Sequence, residues 1–143
     1  GTQIVSAAQN MTFTLGRARV TFIGPARTQH TDSRDDGLTL RIDYGQTSVV
    51  VTGCITSNGE KEIVSSGAAA ACDALIVSRG GTEAATCAEW VEAAKPKVAL
   101  ITGKNPANSV RIRLQKYGAT VYAAKENGVM TLFSDGQEIT VEP

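Results

Sequence analysis

The sequence predicts a mixed α/β fold, an α+β arrangement of one β-sheet with helices packed on one face, and three observations predict it. Leu38-Thr39-Leu40-Arg41-Ile42-Asp43-Tyr44 alternates strictly between apolar and polar residues, the period of a strand with two unlike faces. Ser48-Val49-Val50-Val51-Thr52 is a β-branched run, which suits a central strand. Beyond Gly53, short apolar runs alternate with helical stretches, an order that lays helices over a sheet.

The elements follow in sequence. Residues 1–10 read as a tail, and 11–143 as a single domain. Met11 to Leu15 alternates and stops at Gly16; Arg17 to Ile23 alternates as well, with Ala18, Val20 and Phe22 on one face. The polar stretch between Gly24 and Gly37 reads as a long loop, a kind often functional or disordered. Tyr44-Gly45-Gln46-Thr47 reads as a hairpin turn into the β-branched strand. A helix is expected from Glu60 to about Ser66 with Asn58 as its cap. Ala74 to Val77 is a short buried strand, followed by the glycine-rich Ser78-Arg79-Gly80-Gly81-Thr82. A helix from about Thr86 to Ala94 stops before Pro96, and Val98 to Ile101 is the next strand. A third helix, about Ala107 to Tyr117, ends at Gly118 as a left-handed cap. Thr120–Ala123, Val129–Phe133 and Glu138–Val141 complete the strands, with Asn127-Gly128 and Asp135-Gly136 as hairpin turns between them.

Composition narrows the function. Fourteen basic and fourteen acidic residues cancel, so nucleic acid or an anionic membrane would need a local basic patch. No apolar run approaches the roughly 20 residues that cross a bilayer, so this segment is not expected to insert in a membrane. Gly1 reads as a cloning remnant, and the lack of a targeting segment therefore carries no weight. Of the three cysteines, Cys72 and Cys87 either pair in an oxidising compartment or, with Cys54, stay as buried free thiols.

Candidate chemistry is sparse. His30, the only histidine, lies near Asp32, Asp35 and Asp36; such a group binds a divalent ion or moves protons, but reads more simply as a solvated loop. A Ser-His-Asp triad through Ser33 or Ser78 lacks the Gly-x-Ser-x-Gly frame. Arg79, Gly80, Gly81 and Thr82 sit between a strand and a helix, where freed amides beside a guanidinium suit an anion. Lys104, Arg111, Arg113 and Lys116 offer a basic stripe for DNA phosphates, although residues two apart do not share a helical face. Trp90 reads as a core anchor.

The landmarks, taken in order, are Phe13-Thr14-Leu15-Gly16, Asp36-Gly37-Leu38, Val51-Thr52-Gly53, Glu60, Val77-Ser78-Arg79-Gly80, Lys95-Pro96-Lys97-Val98-Ala99, Gly118-Ala119-Thr120-Val121-Tyr122 and Glu126-Asn127-Gly128. This series, running from about Phe13 to about Gly136, resembles the second half of the metallo-β-lactamase-like domain of the DNA-internalisation competence protein family. The resemblance implies half of an αββα sandwich. It also implies a pair of metal ions, usually zinc, that lower the pKa of a bound water. Where that family has a bridging Asp, this chain has Cys54; where it has the His-His pair, Ser78 and Arg79; where it has His before proline, Asn105. The family's HxHxDH motif is absent.

The expectation is therefore a catalytically inactive domain of this type, without zinc or another divalent cofactor, in a structural or binding role. Two alternatives stand beside it: a portion of a metal-dependent DNA or phosphodiester hydrolase whose other ligands lie outside the chain, and an anion-binding module using Ser78–Thr82. Expected partners are the missing N-terminal half of the fold or a second copy, with nucleic acid weakly supported. The sequence names no compartment; the resemblance is compatible with a parent protein outside the cytoplasm or at a membrane. A half-fold leaves one sheet face without its partner layer. Arg17, Arg19, Thr39, Arg41 and Asp43 suggest that this face has become polar over the early strands.

Overall fold

The computed structural model describes residues 1–142. Seven strands form one mixed sheet in sequence order. β1 (Thr12–Leu15), β2 (Ala18–Gly24), β3 (Thr39–Tyr44) and β4 (Thr47–Val51) run as an antiparallel meander. β5 (Ala74–Ile76), β6 (Val98–Ile101) and β7 (Thr120–Ala123) then add parallel to β4. Parallel neighbours need crossovers, and α1 (Ser57–Ser65), α2 (Ala88–Ala94) and α3 (Asn108–Lys116) supply them. The mixed α/β class expected from the sequence is the one observed.

Two boundaries differ from expectation for local chemical reasons. The cap of α1 is Thr56, not Asn58: the Thr56 hydroxyl accepts the Asn58 N–H at 3.2 Å, which starts the helix three residues before Glu60. Asn127-Gly128 is not a hairpin turn. Ala124–Asn127 forms a short helical turn, α4, closed by Asn127 Oδ1 accepting the Ala123 N–H at 3.0 Å. The chain then leaves the main sheet for a separate hairpin, β8 (Thr131–Ser134) and β9 (Ile139–Glu142), turned at Asp135-Gly136 as expected.

Strand register decides which residues share a face. Val50, Leu75, Ala99 and Val121 are successive neighbours across the parallel strands. They pack with Ile63 of α1, Trp90 and Val91 of α2, and Val110 and Leu114 of α3 in one core. Every helix that crosses over lies on this side. Arg41 stands opposite Val50, and Arg19 opposite Asp43. So Arg19, Thr39, Arg41 and Asp43 belong to the helix side, and the expectation that they make the partnerless face polar is overturned. A period of two reveals two faces but not which one the helices choose. Arg41 is put to use there: it pairs with Asp43 at 2.7 Å and donates to the carbonyls of Ala69 and Ala71.

The opposite face carries Phe13, Leu15, Val20, Phe22, Leu40, Ile42, Val49, Val51, Ile76, Leu100 and Tyr122 by the same register. None of these is charged. The β8–β9 hairpin covers one end of this face, where Ser134 Oγ and Thr47 Oγ1 lie 2.6 Å apart and Ile139 lines a recess with Val98. Over β1 the face is open, with Phe13 48% and Leu15 70% exposed; on β2 and β3, Val20 is buried and Phe22, Leu40 and Ile42 are partly buried.

Candidate functional site

The resemblance points to the loops at the carboxyl ends of the parallel strands, and the structure brings its four positions to that edge. Cys54 follows β4 through Gly53, a left-handed residue at φ +61° whose carbonyl accepts the Arg79 N–H at 3.0 Å. Ser78 follows β5 and is buried, its hydroxyl donating to the Ile55 carbonyl at 2.6 Å. Arg79 and Gly80 are both left-handed, at φ 51° and 62°. This turn lets the backbone of Gly80 lie directly against Gly103 of the loop after β6, with no room for a Cβ on either residue. Asn105 is exposed on that second loop.

These groups do not suit a dinuclear metal centre. Cys54 is exposed and free, Ser78 is spent on a carbonyl, and Arg79 brings a fixed positive charge. Among the described residues no three His, Cys, Asp or Glu side chains gather closely enough to hold an ion, whereas zinc sites use three or four such donors.

The Ser78–Thr82 loop is likewise largely occupied. The Arg79 amide serves Gly53, Arg79 Nε donates to Thr82 Oγ1 at 3.2 Å, and the Gly81 carbonyl accepts from Ala107 N at 2.8 Å. Gly81 is packed against Ile101 and Pro106. The basic residues near α3 do not act as one stripe: Arg111 pairs with Glu126 at 2.6 Å, while Arg113 turns inward to the Thr86 carbonyl at 2.5 Å. Lys104 and Lys116 are exposed.

The richer polar cluster lies elsewhere. Most residues between Gly24 and Gly37 are exposed, as expected of a solvated loop, but the His30 side chain is only 3% exposed because α1 offers it a partner. His30 Nδ1 lies 2.8 Å from Asp36 Oδ1, and Nε2 lies 2.7 Å from Glu62 Oε2. Arg27 binds the same Glu62 with both Nε and Nη2, at 3.0 and 2.9 Å. Asp35, on a 3-10 turn over Ser33–Asp36, is buried and accepts from both the amide and the hydroxyl of Thr56, at 2.7 and 2.9 Å. The loop is thus fastened at both ends of α1.

Charge states follow from these contacts. The hydrogen bond to Asp36 raises the His30 pKa against a smaller opposing effect of burial, and Glu62 raises it further. Arg27 and His30 together hold Glu62 below the ordinary carboxylate range. Asp32, bound by Arg34, is pulled down to about 2, with Arg79 a minor contributor. A cleft of about 710 Å³ opens among Arg27, His30, Asp32, Arg34, Lys61 and Glu62.

Sequence reasoning missed Arg27, Glu62 and the role of Glu60. Glu60 is fully buried in α1, and its carboxylate accepts from the amides of Thr86 and Cys87 at 2.6 and 2.8 Å. It therefore satisfies free N–H groups at the start of α2. Its signal was present: Glu60 lies three residues before Ile63, so both share the helix face that packs on the sheet. All three cysteines are free, and only Cys72 and Cys87 are buried.

No family model matches the chain, and no curated protein is significantly similar to it.

Proposed function

We propose that the chain is a non-catalytic domain of the metallo-β-lactamase type, allied to competence proteins of DNA uptake, with a structural or binding role carried by its helix-free sheet face. One observation carries the reading: an apolar face, edged by Arg17 over the Tyr44 ring, continues across β1 to β3 with Leu15 largely and Phe13 about half in solvent. Burying apolar surface is worth about 25 cal/mol per Å², and large open apolar patches mark association sites. The occupant is a second β-layer with a similarly uncharged face, namely the N-terminal half that the resemblance calls for. The donor set at the strand ends supports the non-catalytic part, since exposed Cys54, spent Ser78, cationic Arg79 and amide Asn105 supply too few metal ligands.

The test compares this chain with the product of its complete reading frame, each with and without F13E/L15E. The chain alone is expected to bind an apolar dye through this face, and the double variant to lose that binding with its circular dichroism unchanged. In the complete product the same residues are expected to be protected from dye. Equal dye binding by chain and double variant would overturn the docking reading. Concentration-dependent dimers of the chain, abolished by the same changes, would replace the occupant with a second copy. Zinc or manganese retained at one or more per chain after dialysis would overturn the non-catalytic reading.

A further inference from the structure

We infer that His30 is a protonation-dependent latch that holds the middle of the Gly24–Gly37 loop, between its Arg27 and Asp35 anchors, against α1 and releases it as pH rises. The argument begins with donor counting. A neutral imidazole has one N–H and one lone pair, so it can donate to only one partner. Here both ring nitrogens face carboxylate oxygens, Asp36 at 2.8 Å and Glu62 at 2.7 Å, and a carboxylate has nothing to donate. With both acids ionised, the arrangement requires an imidazolium. Loss of its proton sets a lone pair against a carboxylate in a ring whose side chain is 3% exposed.

The surrounding charges agree with this. From the loop, Arg27 faces Glu62, while Asp36 faces the ring; from α1, Glu62 faces the ring and Lys61 lines the same cleft. Lys61 is engaged with Glu89 at 3.3 Å, and Arg34 with Asp32. Asp35 is committed to Thr56. The ring therefore sits between two acids, with Arg27 opposing its charge. Imidazole chemistry places the event near neutral pH. Because partners raise the folded-state pKa, the latch is complete below the free-imidazole value of about 6.5 and fails as pH climbs through the higher folded value. Release frees the stretch of cleft wall around His30, while the Arg27–Glu62 ion pair keeps the near end of the loop tethered to α1 and the Asp35–Thr56 contact keeps the far end. The device is independent of the docking face proposed above.

His30 is the only histidine in the chain, so its ring signals are unambiguous. Ring nitrogen shifts from long-range ¹H–¹⁵N spectra are expected to show both nitrogens protonated at pH 6.5, with a midpoint above that value. Amide exchange over Arg27–Asp36, corrected for intrinsic rate, is expected to rise at least tenfold across the same midpoint. H30Q is expected to lose this pH dependence. E62Q, which keeps the ring but removes one acid, is expected to move the midpoint down. A neutral ring at pH 6.5, loop exchange that ignores the ring's titration, or an unmoved midpoint in E62Q would overturn the latch.

Discussion

Replacing Glu60 should unfasten α1 from α2, and the cost follows from the atoms involved. Its two carboxylate oxygens accept from the Thr86 and Cys87 amides, at 2.6 and 2.8 Å, in a fully buried setting. In E60A both amides lose their acceptor. A buried N–H left unsatisfied costs about 1–3 kcal/mol, so two cost about 2–6 kcal/mol. A domain of this size has only about 5–15 kcal/mol of net stability. With a urea slope of about 2 kcal/mol per molar, a loss of about 4 kcal/mol moves the unfolding midpoint down by about 2 M. E60Q should lose less, because the amide oxygen still accepts one bond and no charge is buried. The pH profile gives a second reading. Burial raises the Glu60 pKa above its ordinary value, against the two backbone hydrogen bonds and the more distant Arg113. The folded state therefore favours the protonated acid. Its contribution to stability is complete below the unfolded pKa of about 4.5 and declines as pH rises through the folded value. Urea unfolding of wild type and E60Q from pH 4 to 8 should show the steeper decline in wild type, since E60Q keeps the His30 contribution but lacks that of Glu60. An E60A midpoint shift under about 0.5 M, or identical pH slopes in both proteins, would refute the reasoning.

The other predictions use separate parts of the fold. A thiol reagent at neutral pH should modify Cys54 in the native protein and reach Cys72 and Cys87 only after unfolding, because burial pushes both of those thiols up to about 12. Native labelling at more than one equivalent would contradict that burial. G103A should destabilise by about 1–3 kcal/mol, since the added methyl meets the Gly80 backbone rather than a side chain that could swing aside; thermal unfolding measures it. D35N should cost about 1.5–3 kcal/mol by weakening the charge-assisted bonds to Thr56, and should raise amide exchange at the start of α1. W90A, which empties a fully buried site among the helices, should cost about 3–5 kcal/mol in chemical denaturation.

The sequence by itself determined the strands and most of the helices. Strict alternation in Leu38–Tyr44, the β-branched run Ser48–Thr52 and the glycine stops at Gly16, Gly118 and Gly136 are local signals with local causes, and the observed elements follow them. It also determined that the strand-end positions hold thiol, hydroxyl, guanidinium and amide, because identity alone fixes donor chemistry. Tertiary structure decided what local patterns cannot encode. Alternation showed that Arg41 and Asp43 share a face, but only strand pairing set Arg19 beside them and only the packing of α1, α2 and α3 chose the side they occupy. His30 looked like part of a wet loop because its second acid, Glu62, is 32 residues away in the chain. Likewise Glu60 finds its amides 26 and 27 residues further on. A charged side chain's environment depends on which distant backbone or carboxylate folding brings beside it, and burial then multiplies the strength of that contact.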